Sequence, residues 1–194
     1  MIDLRALVFK HRGALLAAPA LVLAAAGKPS ALSVAAGIPL ALAGEALRCW
    51  AVGYSGTTTR ADVVTAPSLI TAGPYAHVRN PLYLGNFLTA LGFTVAFTGG
   101  NSGPARAALA ALALGTMVSV YATIVPHEEA YLRRTFGAAF DDYAARVPAV
   151  IPLAVASQPQ EGVYDPSVIA RAESRTFATF GAMLAVLALK GLRM

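Results

Sequence analysis

Long apolar runs separated by short polar turns dominate the hydrophobic pattern of this chain. Four such runs occupy residues 13–27, 31–54, 81–98 and 107–125, and residues 7–9 extend the first one. An α-helix needs ~20 apolar residues to cross the hydrocarbon core of a bilayer. Because the runs approach that length and are apolar around most of the helix circumference, the pattern predicts four membrane-spanning helices.

Two later segments follow a different pattern. Residues 127–147 place apolar and charged positions on different faces at helical spacing, which predicts an amphipathic helix that leaves the membrane and breaks near Gly137. Pro126 is expected to end the fourth span before it, and Pro148 and Pro152 to end the amphipathic helix. Residues 176–192 form a last apolar run, a marginal fifth span that could instead pack against the bundle or mediate oligomerisation.

The predicted fold class is therefore all-α, a polytopic membrane helix bundle of about five transmembrane helices with an amphipathic helix on the cytoplasmic side. We interpret residues 1–194 as one domain, with an N-terminal hairpin and loop (1–72), a core (73–152) and a C-terminal extension (153–194). Composition supports this fold class. The chain is 57% hydrophobic and 13% charged, with a mean hydropathy of +0.61, which is too apolar for an ordinary soluble domain.

The distribution of basic residues bears on orientation and on partners. The net charge is +5, but the basic residues are scattered among short loops, which favours contacts with membrane lipids over a nucleic-acid partner. They concentrate in residues 1–12, 55–80, 127–148 and 153–175. The positive-inside rule places these segments in the cytoplasm. We therefore expect an integral protein, of a bacterial inner membrane, whose basic N-terminus flanks a first span and is not a signal peptide.

Several kinds of chemistry find no support in the sequence. The single cysteine, Cys49, lies in an apolar run and cannot form an intrachain disulfide. His11, His77 and His127 are far apart in sequence, and metal-ligand spacings such as CxxC are absent. We predict no metal site. The composition shifts at residues 55–72 to Thr, Ser and isolated charges, and the default interpretation of this segment is a polar connector, with a lid over a ligand site as the alternative.

The chemical centre of the chain is residues 73–85, GPYAHVRNPLYLG. Pro81 suits the first turn of a helix and Asn80 suits its N-cap. Unpaired backbone N–H groups at such a helix start favour an anion, for example a carboxylate. These residues alone are also compatible with a solvated or lipid-facing helix start.

Two charges interrupt the second apolar run. Glu45 and Arg48 are three residues apart, so they share one helix face and can form an ion pair. Intramembrane charges are costly and often functional. A structural ion pair and a role in a pocket are both open at this point.

A second motif follows one helical hairpin after the first. Residues 126–152 read PHEEAYLRRTFGAAFDDYAARVPAVIP. Together the two segments resemble the isoprenylcysteine carboxyl methyltransferase family and its wider relatives, small integral-membrane methyltransferases that include the phospholipid methyltransferases. Asn80 stands where the family usually has His, and Phe140 where it usually has Tyr. The positions that match the family's three ordered motifs are Gly73, Tyr75, Arg79, Pro81, Tyr83, Gly85, Glu128, Glu129, Leu132, Phe136, Gly137, Tyr143, Arg146, Val147, Pro148 and Pro152.

The resemblance implies a methyltransferase that uses S-adenosylmethionine at the cytoplasmic face and acts on a lipid-like or prenylated acceptor, with carboxyl O-methylation as the preferred reaction. Arg146 is expected to orient an acidic acceptor, with Glu45 and Arg48 near the inner end of an apolar tunnel for its tail. Cofactor contacts are carried over to Tyr75, His77, Val78, Arg79, Asn80, Pro81, Tyr83, Glu128 and Glu129.

Alternatives to this interpretation stay open. One is N-methylation of a phospholipid amine. Membrane sterol reductases resemble the family over the same C-terminal region but bind NADPH, and a non-catalytic membrane protein could keep the same fold. For Glu128 and Glu129 considered alone, the alternative is a solvated first helical turn. The sequence leaves the oligomeric state open.

The charge distribution yields a topology prediction. With Cys49 replaced, a cysteine introduced at Asn101 should react with a membrane-impermeant reagent in intact cells, and a cysteine introduced at Arg134 should not, because the positive-inside rule places only the latter in the cytoplasm. Labelling at position 134 together with protection at position 101 would show that the protein has the opposite orientation.

Overall fold

The computed structural model describes residues 4–56 and 66–192, and this part of the chain is helical with no β-strand. The all-α prediction is therefore confirmed for the described residues. Part of the predicted connector, including Arg60, falls on residues 57–65 and lies outside them. The helices are α1 (Leu4–Ala26), α2 (Ala31–Ser55), α3 (Pro81–Thr98), α4 (Gly103–Phe136), α5 (Ala138–Arg146), α6 (Ile169–Ala172) and α7 (Ser174–Gly191), with 3-10 turns at Gly73–Ala76 and Pro166–Val168.

Four helices, α1 to α4, are long and apolar enough to cross a membrane. The bounds of α2 and α3 agree with the predicted second and third spans. Ser30 begins α2 with a capping box, in which its hydroxyl accepts from the Ser33 N–H while the Ser33 hydroxyl accepts from the Ser30 N–H. At the same end of the bundle, Asn101 accepts a hydrogen bond from the Lys28 N–H at 2.7 Å, which joins the two hairpin turns.

The first span begins earlier than predicted. Basic residues were expected ahead of it, but α1 starts at Leu4 and includes them in its first turns. Phe9 is buried against Ile124 of α4, and its ring lies 6.2 Å from that of His127. Because these contacts hold the first turns of α1 against α4, the basic residues lie on a packed helix.

The fourth span does not end at Pro126, so that prediction is wrong. Helix α4 continues through Pro126 to Phe136. Proline removes one backbone hydrogen bond and normally ends or kinks a helix, but the packing of α1 against this part of α4 compensates for that loss. The predicted break near Gly137 is confirmed, because Gly137 has a φ of 54°, a conformation that glycine adopts at little cost.

The core of the bundle is a close contact between α2 and α3 along small residues. A Cβ added to Gly44 would lie 2.5 Å from the Thr89 backbone nitrogen and 2.6 Å from the Gly85 carbonyl oxygen. Gly85 and Gly92 of α3 contribute to the same contact, because a Cβ added to Gly92 would clash with the Ala41 backbone nitrogen. Small residues let two backbones pack directly, which is a main source of helix association in lipid.

Helix α7 packs along the bundle. It was a marginal fifth span in sequence, and it is not among the four helices that are long and apolar enough to cross a membrane. Its residues Phe180, Met183 and Leu187 are buried in one cluster with Phe93 and Phe97 of α3. At its C-terminal end, Lys190 donates to the Gly27 carbonyl oxygen at 2.9 Å, just beyond α1. Because its N-terminal end meets α2 at Arg48, α7 runs beside the bundle from one end towards the other, and a fifth span stays a prediction.

The contact between α2 and α3 gives a stability prediction. Gly44→Ala should lower the free energy of unfolding by about 1–3 kcal/mol, because the added methyl group must displace backbone atoms of α3. Thermal unfolding in detergent measures the effect. The control is Gly115→Ala in α4, where an added Cβ meets nothing within 4 Å and the gain in helix propensity should stabilise by about 0.5–1 kcal/mol. Equal unfolding temperatures for the two variants would contradict the assignment of a tight contact.

Candidate functional site

A cavity of about 560 Å³ opens at the end of the bundle where α2 ends and α3 begins. Its walls come from the first half of α1, the C-terminal end of α2, the N-terminal end of α3, the second half of α4, α5 and the start of α7. Residues 66–70 lie at its edge. The two motif segments, distant in sequence, therefore contribute to one cavity.

An ion pair joins the two motif segments. Arg79 donates from Nε to Glu129 Oε1 at 2.9 Å and from Nη2 to Oε2 at 3.1 Å. Its remaining nitrogen, Nη1, donates to the backbone carbonyls of Ala144 and Val147. The Arg79 and Glu129 side chains are only 14% and 17% exposed, so this two-point contact is largely shielded from water and is stronger than a surface ion pair.

Asn80 occupies the N-cap position of α3 as predicted, but its side chain does not cap the helix. The amide nitrogen instead donates to the Ala149 carbonyl at 3.0 Å and to Glu129 Oε1 at 3.4 Å. Asn80 therefore acts with Arg79 in holding Glu129 and the segment after α5.

Glu128, the neighbour of Glu129 on α4, also lines the cavity. The Tyr83 hydroxyl donates to Glu128 Oε1 at 2.6 Å, and the Tyr83 ring lies 4.5 Å from that of Tyr121. Both glutamates lie in the interior of α4. The alternative of a solvated first helical turn is therefore wrong, because the helix does not restart after Pro126.

The segment after α5 folds back across the start of α3, and we call residues 147–159 the strap. Backbone N–H groups of Arg79, Leu153 and Ser157 donate to the carbonyls of Pro148, His77 and Ala76. The Tyr143 hydroxyl donates to the Tyr75 carbonyl at 2.8 Å. Burial raises the pKa of Tyr143, and it raises the pKa of Tyr75 to about 12. Both phenols are therefore neutral at physiological pH.

Seven of the nine predicted cofactor residues line the cavity, and His77 and Val78 do not. Val78 is 2% exposed and packed in the core. The Nδ1 atom of His77 lies 2.9 Å from the Leu153 carbonyl oxygen, beneath the strap. A direct contact of these two side chains with a ligand in the cavity is therefore not supported by the geometry.

Arg146 lies outside the cavity as well. Its guanidinium donates to the Gln158 carbonyl, to the Ser157 hydroxyl at 3.2 Å and to the Asp142 carbonyl at 3.2 Å, and the residue is exposed. The predicted role in orienting an acceptor receives no support from these contacts. Arg146 instead fastens the strap to α5.

Arg48 is buried on the cavity wall and links three helices. Its Nη2 donates to both carboxylate oxygens of Glu173 at 2.8 and 2.6 Å, and its Nη1 donates to the side-chain oxygen of Asn86. The predicted contact with Glu45 is present but longer, at 3.9 Å from Arg48 Nε. Glu173 is 0% exposed, so the main partner of Arg48 comes from the start of α7 and not from its own helix.

A second, apolar cavity of about 200 Å³ lies deeper in the bundle, between α1, α2, α3, α4 and α7. Leu16, Asn86, Tyr121 and Thr176 line both cavities. Glu45 lines only the deeper one and Arg48 only the larger one. The Glu45–Arg48 pair therefore marks the junction between a polar and an apolar compartment.

The charges around the larger cavity are mostly positive. It is lined by Lys10, Arg12, Arg48, Arg79 and Arg175 and by the carboxylates Glu128 and Glu129. Such a lining favours an anionic ligand. In residues 4–56 and 66–192, no three His, Cys, Asp or Glu side chains form a group that could hold a metal ion.

Several cavity residues were missed by sequence reasoning. Tyr121 and Asn86 are single polar residues within predicted spans, and that interruption was the available signal. Glu173 and Arg175 lie in the polar stretch before the last apolar run. Nothing in the local sequence connects that stretch with α2, because the connection is a contact between residues 125 positions apart.

Comparison with known proteins points to one family. A model of the isoprenylcysteine carboxyl methyltransferase (ICMT) family matches residues 37–134. The chain is 38% identical over 84 residues to the nickel-cobalt-cadmium resistance protein NccN of Alcaligenes xylosoxydans xylosoxydans, a match that covers 43% of this chain and 36% of that protein. It is 40% identical over 85 residues to the protein-S-isoprenylcysteine O-methyltransferase of Schizosaccharomyces pombe, covering 44% of this chain and 33% of that protein.

The matched stretch thus spans about a third of the length of each of these relatives, at 36% and 33%. No solved structure matches the chain.

The contacts of Arg79 predict how the strap is held. Arg79→Lys should keep a charge opposite Glu129 but lose the carbonyl contacts, because one ammonium group cannot reproduce a planar guanidinium that contacts a carboxylate and two carbonyls. Amide hydrogen exchange of residues 147–153 should become faster. The control is Arg133→Lys, in an exposed pair with Asp141 at 2.7 Å, which should leave that exchange unchanged. Unchanged exchange in Arg79→Lys would show that Arg79 does not hold the strap.

Proposed function

Because the chain belongs to the isoprenylcysteine carboxyl methyltransferase family, whose members are methyltransferases, we propose that it transfers a methyl group from S-adenosylmethionine to the carboxyl group of a lipid-like or isoprenoid acceptor. The observation that carries this proposal is that the Arg79–Glu129 pair lies on the wall of the larger cavity. The two family motifs, separated in sequence, meet there.

The cavity residues fit the proposed cofactor in size and chemistry. A volume of about 560 Å³ lies in the range of ~300–1,000 Å³ that is usual for small-molecule sites. The carboxylates of Glu128 and Glu129 suit an ammonium group and ribose hydroxyls, and the rings of Tyr54 and Tyr83 suit a planar base.

When bound, S-adenosylmethionine supplies a methyl group on a positively charged sulfur; the carbon–sulfur bond breaks, sulfur keeps the electron pair, and a carbon–oxygen bond forms with the acceptor. The protein residues then have to bind, orient and exclude water. Arg79 and Asn80 hold Glu129 in one orientation, Tyr83 holds Glu128, and the strap covers one side of the motif segment.

The deeper cavity is the proposed place for the acceptor's apolar tail. It is lined largely by apolar side chains of the helices and shares Leu16 and Tyr121 with the lining of the larger cavity. A tail in this position would bring the head of the acceptor to the junction, beside Arg48. The mostly positive lining supports an acidic head over the cationic amine of a phospholipid.

We further propose that the cavity faces the cytoplasm and that α7 is a fifth span. The positive-inside distribution of the sequence supports the orientation. The contact of Lys190 with Gly27 at one end and of Glu173 with Arg48 at the other supports the span.

The central test is binding of the cofactor to the purified protein in detergent, measured by titration calorimetry. Glu129→Gln should weaken binding of S-adenosylmethionine by about 1–3 kcal/mol, the scale of losing a charge-assisted hydrogen bond at a shielded site. Asp141→Asn, which removes an exposed carboxylate outside the cavity, should leave the affinity unchanged. Equal affinities of wild type and Glu129→Gln for S-adenosylmethionine would show that Glu129 is not part of the cofactor site.

The reaction is tested separately with membranes and S-adenosylmethionine labelled in its methyl group. Base-labile, volatile label in the lipid fraction is the expected result, because a carboxyl methyl ester releases methanol in base. Base-stable label in a headgroup would indicate N-methylation of an amine instead. Retention of NADPH in place of S-adenosylmethionine would indicate a reductase, and binding of neither would indicate a non-catalytic protein.

A further inference from the structure

The junction of the two cavities contains buried hydrogen-bond donors that the described residues do not satisfy. Arg48 Nε is buried and has no hydrogen-bond partner there; the carboxylate of Glu45 lies 3.9 Å away. The Tyr121 hydroxyl is also buried and makes no bond within ordinary geometric limits, although Asn86 lies close to it. Because a buried donor without an acceptor is costly, these groups need an acceptor from outside the chain, which a ligand atom or a water can supply.

The position of these donors matches the head of a tailed molecule. Tyr121 lines both cavities, and Arg48 lines the larger one at the boundary with the deeper one. A guanidinium and a phenol together are suited to a carboxylate, which accepts several hydrogen bonds in one plane.

Residues at the start of α7 fix the orientation of the Arg48 guanidinium. Both oxygens of Glu173 accept from Arg48 Nη2, and the Thr176 hydroxyl lies 3.4 Å from the same nitrogen. Glu173 is fully buried at the N-cap of α7, so it has little freedom to move. Helix α7 lies outside residues 37–134, which match the family model.

We propose that Tyr121 and Glu173 complete a carboxylate site for the acceptor head at the junction of the two cavities. Arg48 and Tyr121 donate hydrogen bonds to the carboxylate, and Glu173 is a positioning residue that holds Arg48 in place for it. This inference rests on the proposed function, since it assumes an acceptor with a carboxyl group. It makes α7 a part of the site, through Glu173, and not only a membrane anchor.

The positive charges around the junction of the two cavities offset the repulsion between the acceptor carboxylate and two nearby glutamates. Glu45 and Glu173 carry two negative charges beside Arg48, which alone would repel the acceptor. Lys10, Arg12 and Arg175 line the same cavity, and the cofactor brings a cationic sulfur. These positive charges compensate for the two glutamates.

The experiment uses two radiolabelled probes and the full chain in detergent. One probe is an N-acetylated S-farnesyl cysteine with a free carboxyl group, and the other is its neutral carboxamide. Wild type should bind the carboxylate at least tenfold more tightly than the carboxamide. Tyr121→Phe and Glu173→Gln should each reduce that preference to threefold or less, while the affinity for S-adenosylmethionine stays within twofold of wild type. Loss of packing alone would weaken the binding of both probes equally and would leave the preference for the carboxylate unchanged.

Matched controls separate positioning from folding. Tyr164→Phe removes a phenol hydroxyl that lies outside both cavities, and Lys190→Met releases the other end of α7 from the Ala25 and Gly27 carbonyls. Both controls should keep the carboxylate preference, even if Lys190→Met lowers the unfolding temperature. If Lys190→Met also lost the preference for the carboxylate probe, and the loss followed the drop in unfolding temperature across the variants, a specific role for Glu173 would be overturned.

A triple variant covers the case in which Glu173→Gln fails to fold. Arg48→Met with Glu173→Met and Glu45→Gln removes all three buried charges together, because Arg48→Met alone would take the ion-pair partner away from both glutamates. The folded triple variant should bind S-adenosylmethionine but show no carboxylate preference and no methyl transfer to the farnesyl probe. Transfer at the wild-type rate would overturn the proposal. Wild type that binds the cofactor but neither probe would refute the proposed acceptor, and the carboxylate site with it.

Discussion

The ion pair between Arg79 and Glu129 is the contact on which the candidate site depends. It joins the turn before α3 to the C-terminal half of α4, and the third nitrogen of the same guanidinium contacts α5 at Ala144 and the strap at Val147. Asn80 and Tyr83 add hydrogen bonds between the same two segments, to Glu129 and Glu128. The pair is mostly shielded from water, so its partners must remain together to avoid an uncompensated buried charge.

The need to pair every buried charge also explains the arrangement of side chains around Arg48. A charge within an apolar bundle requires partners, and here they come from α3 and α7 as well as from α2 itself. The close contact between α2 and α3 at Gly44 and Gly85 brings Arg48 near Asn86. Tight packing of small residues and satisfaction of a buried charge are therefore linked: the first makes the second geometrically possible.

Local patterns predicted most helices and failed where distant contacts decide. The bounds of α2 and α3 followed from hydrophobic length, and Gly137 from its turn chemistry. The end of α4 was misplaced because Pro126 is a strong local signal that packing against Phe9 overrides. Glu173 was missed because nothing near it in sequence indicates α2. The cavity residues of the two motifs came from a family resemblance, which carries long-range information that periodicity lacks.

Asn80 stands where the family usually has His, and its side chain contacts the site directly. Its amide nitrogen donates to Glu129 and to the Ala149 carbonyl, two contacts that an imidazole N–H could make only one at a time. An amide does not titrate, whereas a histidine changes charge near pH 6.5. The contact with Glu129 therefore keeps the same donor across the physiological pH range. In this chain a side chain that does not titrate therefore stands beside Glu129, while Arg79 supplies the charge that the carboxylate requires.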